Sequence, residues 1–374
     1  MSGIYIHIPF CKQACHYCNF HFSTSLKYKS ELIEALTKEL ILRANYLPHK
    51  HLTSIYIGGG TPSVLNTNEL NSLFDTILQT FTIDPAAEIT LEANPDDLSL
   101  EKLHDLRQTP INRLSIGIQS FNNADLLFMN RAHNAQQADF CIKAAQDVGF
   151  DNLSIDLIYG SPTTSNLIWE QNLDKALAYQ IPHLSCYCLT VEPKTALDSF
   201  VKHQKVPPVN EEQAAQQFEQ LINRTTQAGY LHYEISNFCL PNRFAQHNSS
   251  YWKGNDYLGI GPSAHSFNQT SRQWNVANNA QYIKAINQGI IPAEIEQLSI
   301  TQRFNEYLLT SLRTIWGCSL THIKQHFGDA FVAYLQKAIL PFEDFIVQEN
   351  ETLFLNNKGK LLADKITSEL FWAD

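Results

Sequence analysis

The sequence predicts an α/β chain: an incomplete (β/α)6 barrel of the TIM-like kind, followed by a helical, winged-helix-like domain. Three observations predict it. Short segments with period-two alternation recur along the first half of the chain, separated by helical stretches. Strand, helix and strand repeated this way build a parallel sheet. One face of those strands is branched and apolar while the other is small and polar, whereas a closed barrel fills its centre with branched side chains. From about Thr301 the alternation gives way to helical periodicity and a short hairpin.

The strand segments, in order, are Ile4–Ile8, Ser54–Gly58, Ile89–Glu92, Leu114–Gln119, Leu153–Leu157 and Leu184–Leu189. Helices are predicted between them, among them Lys27–Arg43, Asn68–Phe81 and Ala135–Val148. The apolar face carries Ile4, Ile6 and Ile8, then Ile55 and Ile57, then Leu114, Ile116 and Ile118, then Leu153, Ile155 and Leu157. Those side chains are expected under the outer helices. The opposite face carries Tyr5, His7, Tyr56, Gly58, Thr90, Glu92, Ser115, Gly117, Gln119, Ser154, Asp156, Ser185 and Tyr187. A polar lumen suits an incomplete barrel around a polar ligand, and a mixed sheet with one wet face is the alternative. Residues 1–230 are assigned to the barrel, 231–295 to an extension and 296–374 to the C-terminal domain. That last part reads as helices Thr301–Ile315, Leu320–Phe327 and Ala330–Leu340, then strands around Ile346 and Leu353.

The chain has 374 residues, 44% of them hydrophobic and 17% charged, enough apolar material for a large core and unlike a disordered chain. A formal net charge of -10 argues against general binding of nucleic acid. The first residues lack a basic segment followed by an apolar one, and no run approaches ~18 apolar residues, so neither a signal peptide nor a membrane span is expected. A cytoplasmic protein is the expectation. In a reducing compartment, a cluster of cysteines points to metal or redox chemistry rather than to disulfides.

Such a cluster follows the first strand. Pro9 ends the strand, and Cys11-Lys12-Gln13-Ala14-Cys15-His16-Tyr17-Cys18 has the spacing C-x3-C-x2-C. It lies at the carboxyl end of a barrel strand, where barrel enzymes place their chemistry. Three thiolates suit a four-iron cube with one iron left open to a cofactor. Spacing alone leaves other readings open: three buried thiols on one helix face, or a zinc site completed by His7, His16 or His21.

The ends of the next strands converge on the same rim. Strand two runs into Gly58-Gly59-Gly60-Thr61-Pro62, which matches neither a dinucleotide fingerprint nor a P-loop but leaves the backbone bare to a ligand. Glu92, Gln119 and Asp156 lie at or near the ends of strands three, four and five. A buried carboxylate needs a partner, which a ligand ammonium, a ribose hydroxyl or Arg131 would supply.

These residues, in this order, resemble the oxygen-independent coproporphyrinogen dehydrogenase group of radical SAM proteins. The resemblance is carried by Tyr5-Ile6-His7-Ile8-Pro9-Phe10-Cys11-x3-Cys15-x-Tyr17-Cys18, by Gly58-Gly59-Gly60-Thr61-Pro62-Ser63, by Arg113 to Phe121, by Asn130-Arg131, and by Ile155-Asp156-Leu157-Ile158-Tyr159-Gly160. It covers nearly the whole chain and makes the barrel one of the radical SAM type. The resemblance implies a [4Fe–4S] cluster on Cys11, Cys15 and Cys18, with S-adenosylmethionine chelating the fourth iron. Gly59, Gly60 and Thr61 would contact the methionine end. Tyr5, Tyr17, Glu92, Gln119, Arg131 and Asp156 match positions lining cofactor sites in that group, some of which serve a second S-adenosylmethionine there. One-electron reduction would cleave the sulfonium to a 5'-deoxyadenosyl radical, with the protein orienting the cofactor and excluding water.

Two departures point to a different branch. The dehydrogenase pattern continues C-x3-C-x2-C-x-C, but Phe20 stands at the last position, and the dehydrogenase carries an N-terminal extension ahead of the first strand. Both features resemble the HemW-type heme chaperones of the same family, as does His247-Asn248-Ser249-Ser250-Tyr251-Trp252, which matches their H-N-x-x-Y-W signature. The resemblance implies heme bound by His247, Asn248, Tyr251 and Trp252 and delivered to an acceptor protein, with cluster and S-adenosylmethionine supporting dimerisation or transfer. An imidazole beside aromatic rings suits heme. A packed loop with a hydrogen-bonded histidine, or ligation by another of the 14 histidines, remains open. The alternative function is the dehydrogenase reaction itself. Whether the chain is an enzyme stays undecided at this stage. A homodimer, and a peripheral contact with a membrane through the acceptor, are compatible with this reading.

Overall fold

The computed structural model describes residues 2–373. All six predicted strands form: β1 (Ser2–Ile8), β2 (His51–Gly59), β3 (Thr82–Ala93), β4 (Arg113–Gln119), β5 (Leu153–Tyr159) and β6 (His183–Cys188). They lie side by side in chain order and are parallel throughout. The apolar faces pack as the alternation requires. Ile4, Ile6, Ile8, Ile55, Ile57, Leu114, Ile116, Ile118, Ile155 and Leu157 have no solvent exposure and share one core with the outer helices. Those helices include Lys29–Leu42, Thr67–Thr80 and Ala135–Asp147, each within two residues of the predicted bounds. Asn66 with Glu69 and Asn134 with Gln137 form reciprocal capping boxes that fix where two of them start.

The sheet extends further than the alternation showed. β7 (Leu231–Glu234) and β8 (Asn237–Cys239) form an antiparallel pair on the β6 side. β9 (Asp256–Ile260) pairs with β1 in parallel, and β10 (His265–Phe267), β11 (Ser271–Asn275) and β12 (Ala293–Gln297) continue from it. The twelve strands run in the order β12-β11-β10-β9-β1-β2-β3-β4-β5-β6-β8-β7, open at both ends. The α/β class with an unclosed parallel sheet therefore holds, and seven adjacent strands, β9 and β1 to β6, are parallel. Strand β9 carries a weak signal because Gly259 interrupts its apolar run. The close approach of the next strand demands that glycine: a Cβ there would lie 1.9 Å from the His265 carbonyl oxygen.

A buried ionic network fastens β9–β11 to the helix Lys29–Leu42. Glu39, fully buried, accepts from Gly261 N, Asn275 Nδ2 and the Tyr282 hydroxyl, and Arg43 donates to Glu39, the Gly259 carbonyl, Ser266 and Gln273.

The C-terminal part has its own core, from Phe304 to Leu370. Its helices Ile300–Ser311, Leu320–His326 and Asp329–Ala338 fall where periodicity placed them, though the first stops four residues short of Ile315. The hairpin β14 (Ile346–Glu349) and β15 (Thr352–Leu355) gains a third strand, β13 (Cys318–Ser319), and two short helices, Asn357–Leu361 and Ala363–Glu369, follow. Arg313 ties this part to the sheet through Glu234, and Tyr233 packs against Trp316. Among the described residues, no helix is long and apolar enough to cross a membrane.

Candidate functional site

The cysteine loop leaves β1 at Pro9 and is held from three sides. Cys11 N donates to Ser23 O at 3.0 Å, Thr61 N to Phe10 O at 2.6 Å, and His16 N to Met129 O at 3.1 Å. Asn130 Nδ2 donates to Ala14 O at 2.7 Å. Cys11, Cys15 and Cys18 are free, partly exposed thiols on the wall of a cavity of about 510 Å³. Burial raises the pKa of Cys11 and pushes that of Cys18 up to about 11. The three histidines considered as zinc ligands all point elsewhere. His7 Nε2 bonds His21 O, His16 Nδ1 bonds Phe128 O, and His21 Nε2 bonds Asn279 Oδ1. Among the described residues, no three His, Cys, Asp or Glu converge as they would around a single ion. A four-iron cube spreads its thiolates over different irons, so three thiols apart on one loop suit it better than zinc.

The glycine run forms the next wall. Gly60 N donates to Ile8 O at 2.9 Å, and a Cβ on Gly60 would come within 2.7 Å of Phe10 O. Glycine is thus required there to seat the cysteine loop on the end of β2, while Gly59, Gly60 and Thr61 face the cavity. Glu92 spans the gap to β3. It accepts from the Tyr56 hydroxyl at 2.6 Å and from Gly59 N at 3.1 Å, and its burial raises its pKa. On β5, Asp156 is pushed up to about 7 by burial and then by the charge of Glu92. Ser115 Oγ stands 3.5 Å from its Oδ1, and a side-chain hydrogen bond with Ser185 opposes the rise.

Arg131 closes the far side. It donates to Asn94 Oδ1 at 2.7 Å and Gly117 O at 2.8 Å, and reaches Cys15 Sγ at 3.3 Å and the Tyr17 hydroxyl at 3.4 Å. Its Nε is buried with no hydrogen-bond partner. Gln119 and Asn130, on either side, hold left-handed backbone at φ 64° and 57°. Non-glycine residues in that region mark positions under constraint from their surroundings. The cavity thus gathers Cys11, Cys15, Cys18, Tyr17, Gly59, Gly60, Thr61, Glu92, Gln119, Arg131 and Asp156 from six elements of sequence. Three thiols, a bare backbone, two carboxyls and an unsatisfied guanidinium N–H make a donor set that fits an iron–sulfur cluster with a zwitterionic nucleoside beside it. Asn94, which orients both Arg131 and Thr61, escaped the sequence reading. Its place two residues beyond Glu92, at the end of β3, is the signal that could have found it.

Tyr5 does not line this cavity. Its hydroxyl lies 3.0 Å from His7 Nδ1, and its ring faces a second, larger cavity of about 980 Å³. Tyr251 and Trp252 line that space too, together with Tyr257, Phe267, Phe327 and four exposed or half-buried histidines, His21, His265, His322 and His326. Asn19 and Phe20 border both cavities.

His247 is not presented to either cavity. It is 1% exposed, with Nδ1 at 2.9 Å from Ser54 Oγ, Nε2 at 2.8 Å from the Tyr251 hydroxyl, and its ring stacked on Tyr56. Burial pulls its pKa down to about 3. Glu88 accepts from the backbone N–H groups of Gln246 and His247 and so anchors the helix Gln246–Trp252. Both ring nitrogens of His247 are engaged within the chain, the arrangement of the packed-loop alternative. Asn248 lines neither cavity.

The model of the radical SAM superfamily matches residues 5–176. The chain is 31% identical to the heme chaperone HemW of Bacillus subtilis over 98% of both chains, and 37% identical to HemW of Escherichia coli over 70% of this chain and 69% of that one. The solved coproporphyrinogen III oxidase HemN of Escherichia coli, described as a radical SAM enzyme, superposes with a TM-score of 0.85 over 99% of this chain and 90% of that one. At 24% identity that likeness shows the fold. The HemW likeness runs almost end to end in both chains, and so this chain belongs to the radical SAM superfamily, in the family of its HemW relatives.

Proposed function

We propose that the protein binds heme and passes it to an acceptor protein, and that it carries a [4Fe–4S] cluster on Cys11, Cys15 and Cys18 with S-adenosylmethionine beside it. The observation that carries this reading is the pair of adjoining cavities. One is polar and lined by thiols, the other is larger and aromatic, and both are bordered by Phe20. Phe20 stands where the dehydrogenase-type pattern has a fourth cysteine, and it is 68% exposed. An apolar ring there favours a flat apolar ligand on its far side. The HemW relatives bear the name of heme chaperones, which agrees with this use of the aromatic cavity.

In this reading the chain's own residues do the holding. Three thiolates leave one cluster corner without a protein ligand. The backbone of Gly59 and Gly60 lies bare beside it, and Glu92 and Asp156 offer carboxyls to the ammonium and ribose of the nucleoside. Arg131 fixes Cys15 and Tyr17. When bound, cluster and sulfonium together supply one-electron chemistry. The same reading places the protein in the cytoplasm, with a homodimer and a membrane contact through the acceptor as its further parts.

Anaerobic reconstitution tests it. Expected are four irons and labile sulfide per chain, an EPR signal that changes on adding S-adenosylmethionine, stoichiometric heme binding, and no product from coproporphyrinogen III under reducing conditions. A colourless zinc protein, or conversion to protoporphyrinogen IX, would overturn it.

A further inference from the structure

We infer that Asn94 is a positioning residue for the cluster: its side-chain amide turns Thr61 toward Cys11 and Arg131 toward Cys15, and through these two contacts sets the cluster's reduction potential. The inference rests on the cluster assignment in the functional reading above and names what tunes that site. Asn94 follows the last residue of β3 and lines the thiol cavity. Its backbone N–H donates to Ser63 Oγ at 3.2 Å, and Ser63 in turn donates to Asp97 at 2.6 Å, so the main chain of Asn94 is pinned.

The partners of the amide fix which way round it lies. Arg131 Nη2 stands 2.7 Å from one terminal atom of the Asn94 side chain, and a guanidinium has only protons to offer, so that atom is the oxygen. The other atom is the NH2 group, which donates to Thr61 Oγ1 at 3.2 Å. With an N–H directed at its oxygen, the Thr61 hydroxyl keeps its single proton for another partner. That partner is Cys11: burial raises the pKa of this thiol, and a side-chain hydrogen bond with Thr61 is the leading influence against the rise. On the opposite side, Arg131 Nη2 is shared between Asn94 and the Gly117 carbonyl at 2.8 Å, which leaves Nη1 at 3.3 Å from Cys15 Sγ. One amide thus reaches two of the three cluster thiols, each through one intermediary.

In this arrangement Asn94 forgoes its ordinary local role. It stands at the N-cap of the short helical turn Pro95–Asp97, where an asparagine side chain commonly accepts from the N–H groups of the first turn. Here the side chain makes no capping bond, and both ends of the amide are directed to the cavity wall instead. Reduction adds negative charge to a cluster, so donors aimed at its sulfurs favour the reduced form and raise the potential. A chain whose Thr61 and Arg131 lose that guidance holds its cluster at a lower potential.

The test is an EPR-monitored redox titration of the full-length, cluster-loaded protein without S-adenosylmethionine. Asn94→Ala is expected to shift the midpoint to more negative potential. The ratio of reduced to oxidised cluster at a fixed potential should fall about tenfold, which is about 59 mV for a one-electron couple, with iron content retained. Thr61→Val is expected to move the midpoint in the same direction. Asn94→Asp, ionised beside Arg131, keeps an acceptor for the guanidinium but has no proton for Thr61, whose hydroxyl then turns to the carboxylate and leaves Cys11. Thr61→Val is therefore expected to add no further shift in the Asn94→Asp chain, and the added charge cancels in this comparison. A Thr61→Val shift of equal size in both backgrounds overturns the inference. So does an unmoved midpoint in Asn94→Ala, even where its affinity for S-adenosylmethionine changes. If Asn94→Ala does not retain the cluster, the comparison of Thr61→Val in the two backgrounds decides alone. A wild-type chain that takes up no four-iron centre defeats the functional reading itself.

Discussion

Cys15 is the thiol nearest a fixed positive charge, since Arg131 Nη1 stands 3.3 Å from its sulfur. Cys15→Ser is expected to lose the brown absorbance of the reconstituted protein while its far-UV circular dichroism stays native; unchanged iron per chain would remove Cys15 from the ligand set. Asp156 allows a prediction in pH. Its pKa is raised to about 7 in the folded chain, first by burial, against about 3.9 when unfolded. The folded state therefore holds a proton that the unfolded state has released between those values. The stability this group contributes is fully present below about pH 4 and is lost as pH rises to about 7, with no further loss above. Asp156→Asn is expected to flatten that part of the melting-temperature profile of the cluster-free protein, and identical profiles would refute the linkage. The acids at the strand ends were legible because period two assigns each residue a face. The setting of His247 was not, because its ring partner Ser54 and its backbone partner Glu88 lie on β2 and β3, which only the folded sheet brings to it.

Among the elements, the helix Lys29–Leu42 depends on a charge pair with almost no water. Besides each other, Glu39 and Arg43 hold six partners from β9 to the helix Asn279–Asn287. Removing one member of a buried pair leaves the other uncompensated, so Arg43→Met is expected to cost about 3–5 kcal/mol in chemical denaturation. Loss below about 1 kcal/mol would mean that water already reaches Glu39. A smaller effect belongs to the helix Ile300–Ser311, whose reciprocal cap of Ser299 and Gln302 sets its start. Ser299→Ala is expected to cost about 1 kcal/mol without changing iron content. The six parallel strands and most helices could be read from periodicity, since each buries one regular face. Strands β7 to β12 could not. They are three to five residues long, too short for a period to register, and Gly259 sits in β9 for a steric reason that no pattern displays.

At the scale of the molecule, the thiol cavity draws its lining from the loop after β1 and from the ends of β2 to β6, so a ligand filling it adds contacts that couple all of these elements. S-adenosylmethionine added to the cluster-loaded protein at about 100 times its dissociation constant is expected to stabilise the fold by about 2.7 kcal/mol. A melting temperature indifferent to the nucleoside would show that the cavity does not receive it. The fold class and the location of this cavity were within reach of the sequence. The aromatic cavity was only half visible, because its second wall comes from C-terminal helices that begin to line it at Arg303, well beyond Trp252 in the chain. The order of strands has a last consequence, for biosynthesis. One of the two neighbours of β1 is β9, which ends at Ile260 and follows all six parallel strands in the chain. During synthesis the strand ahead of the cysteine segment therefore keeps one edge open until β9 has emerged.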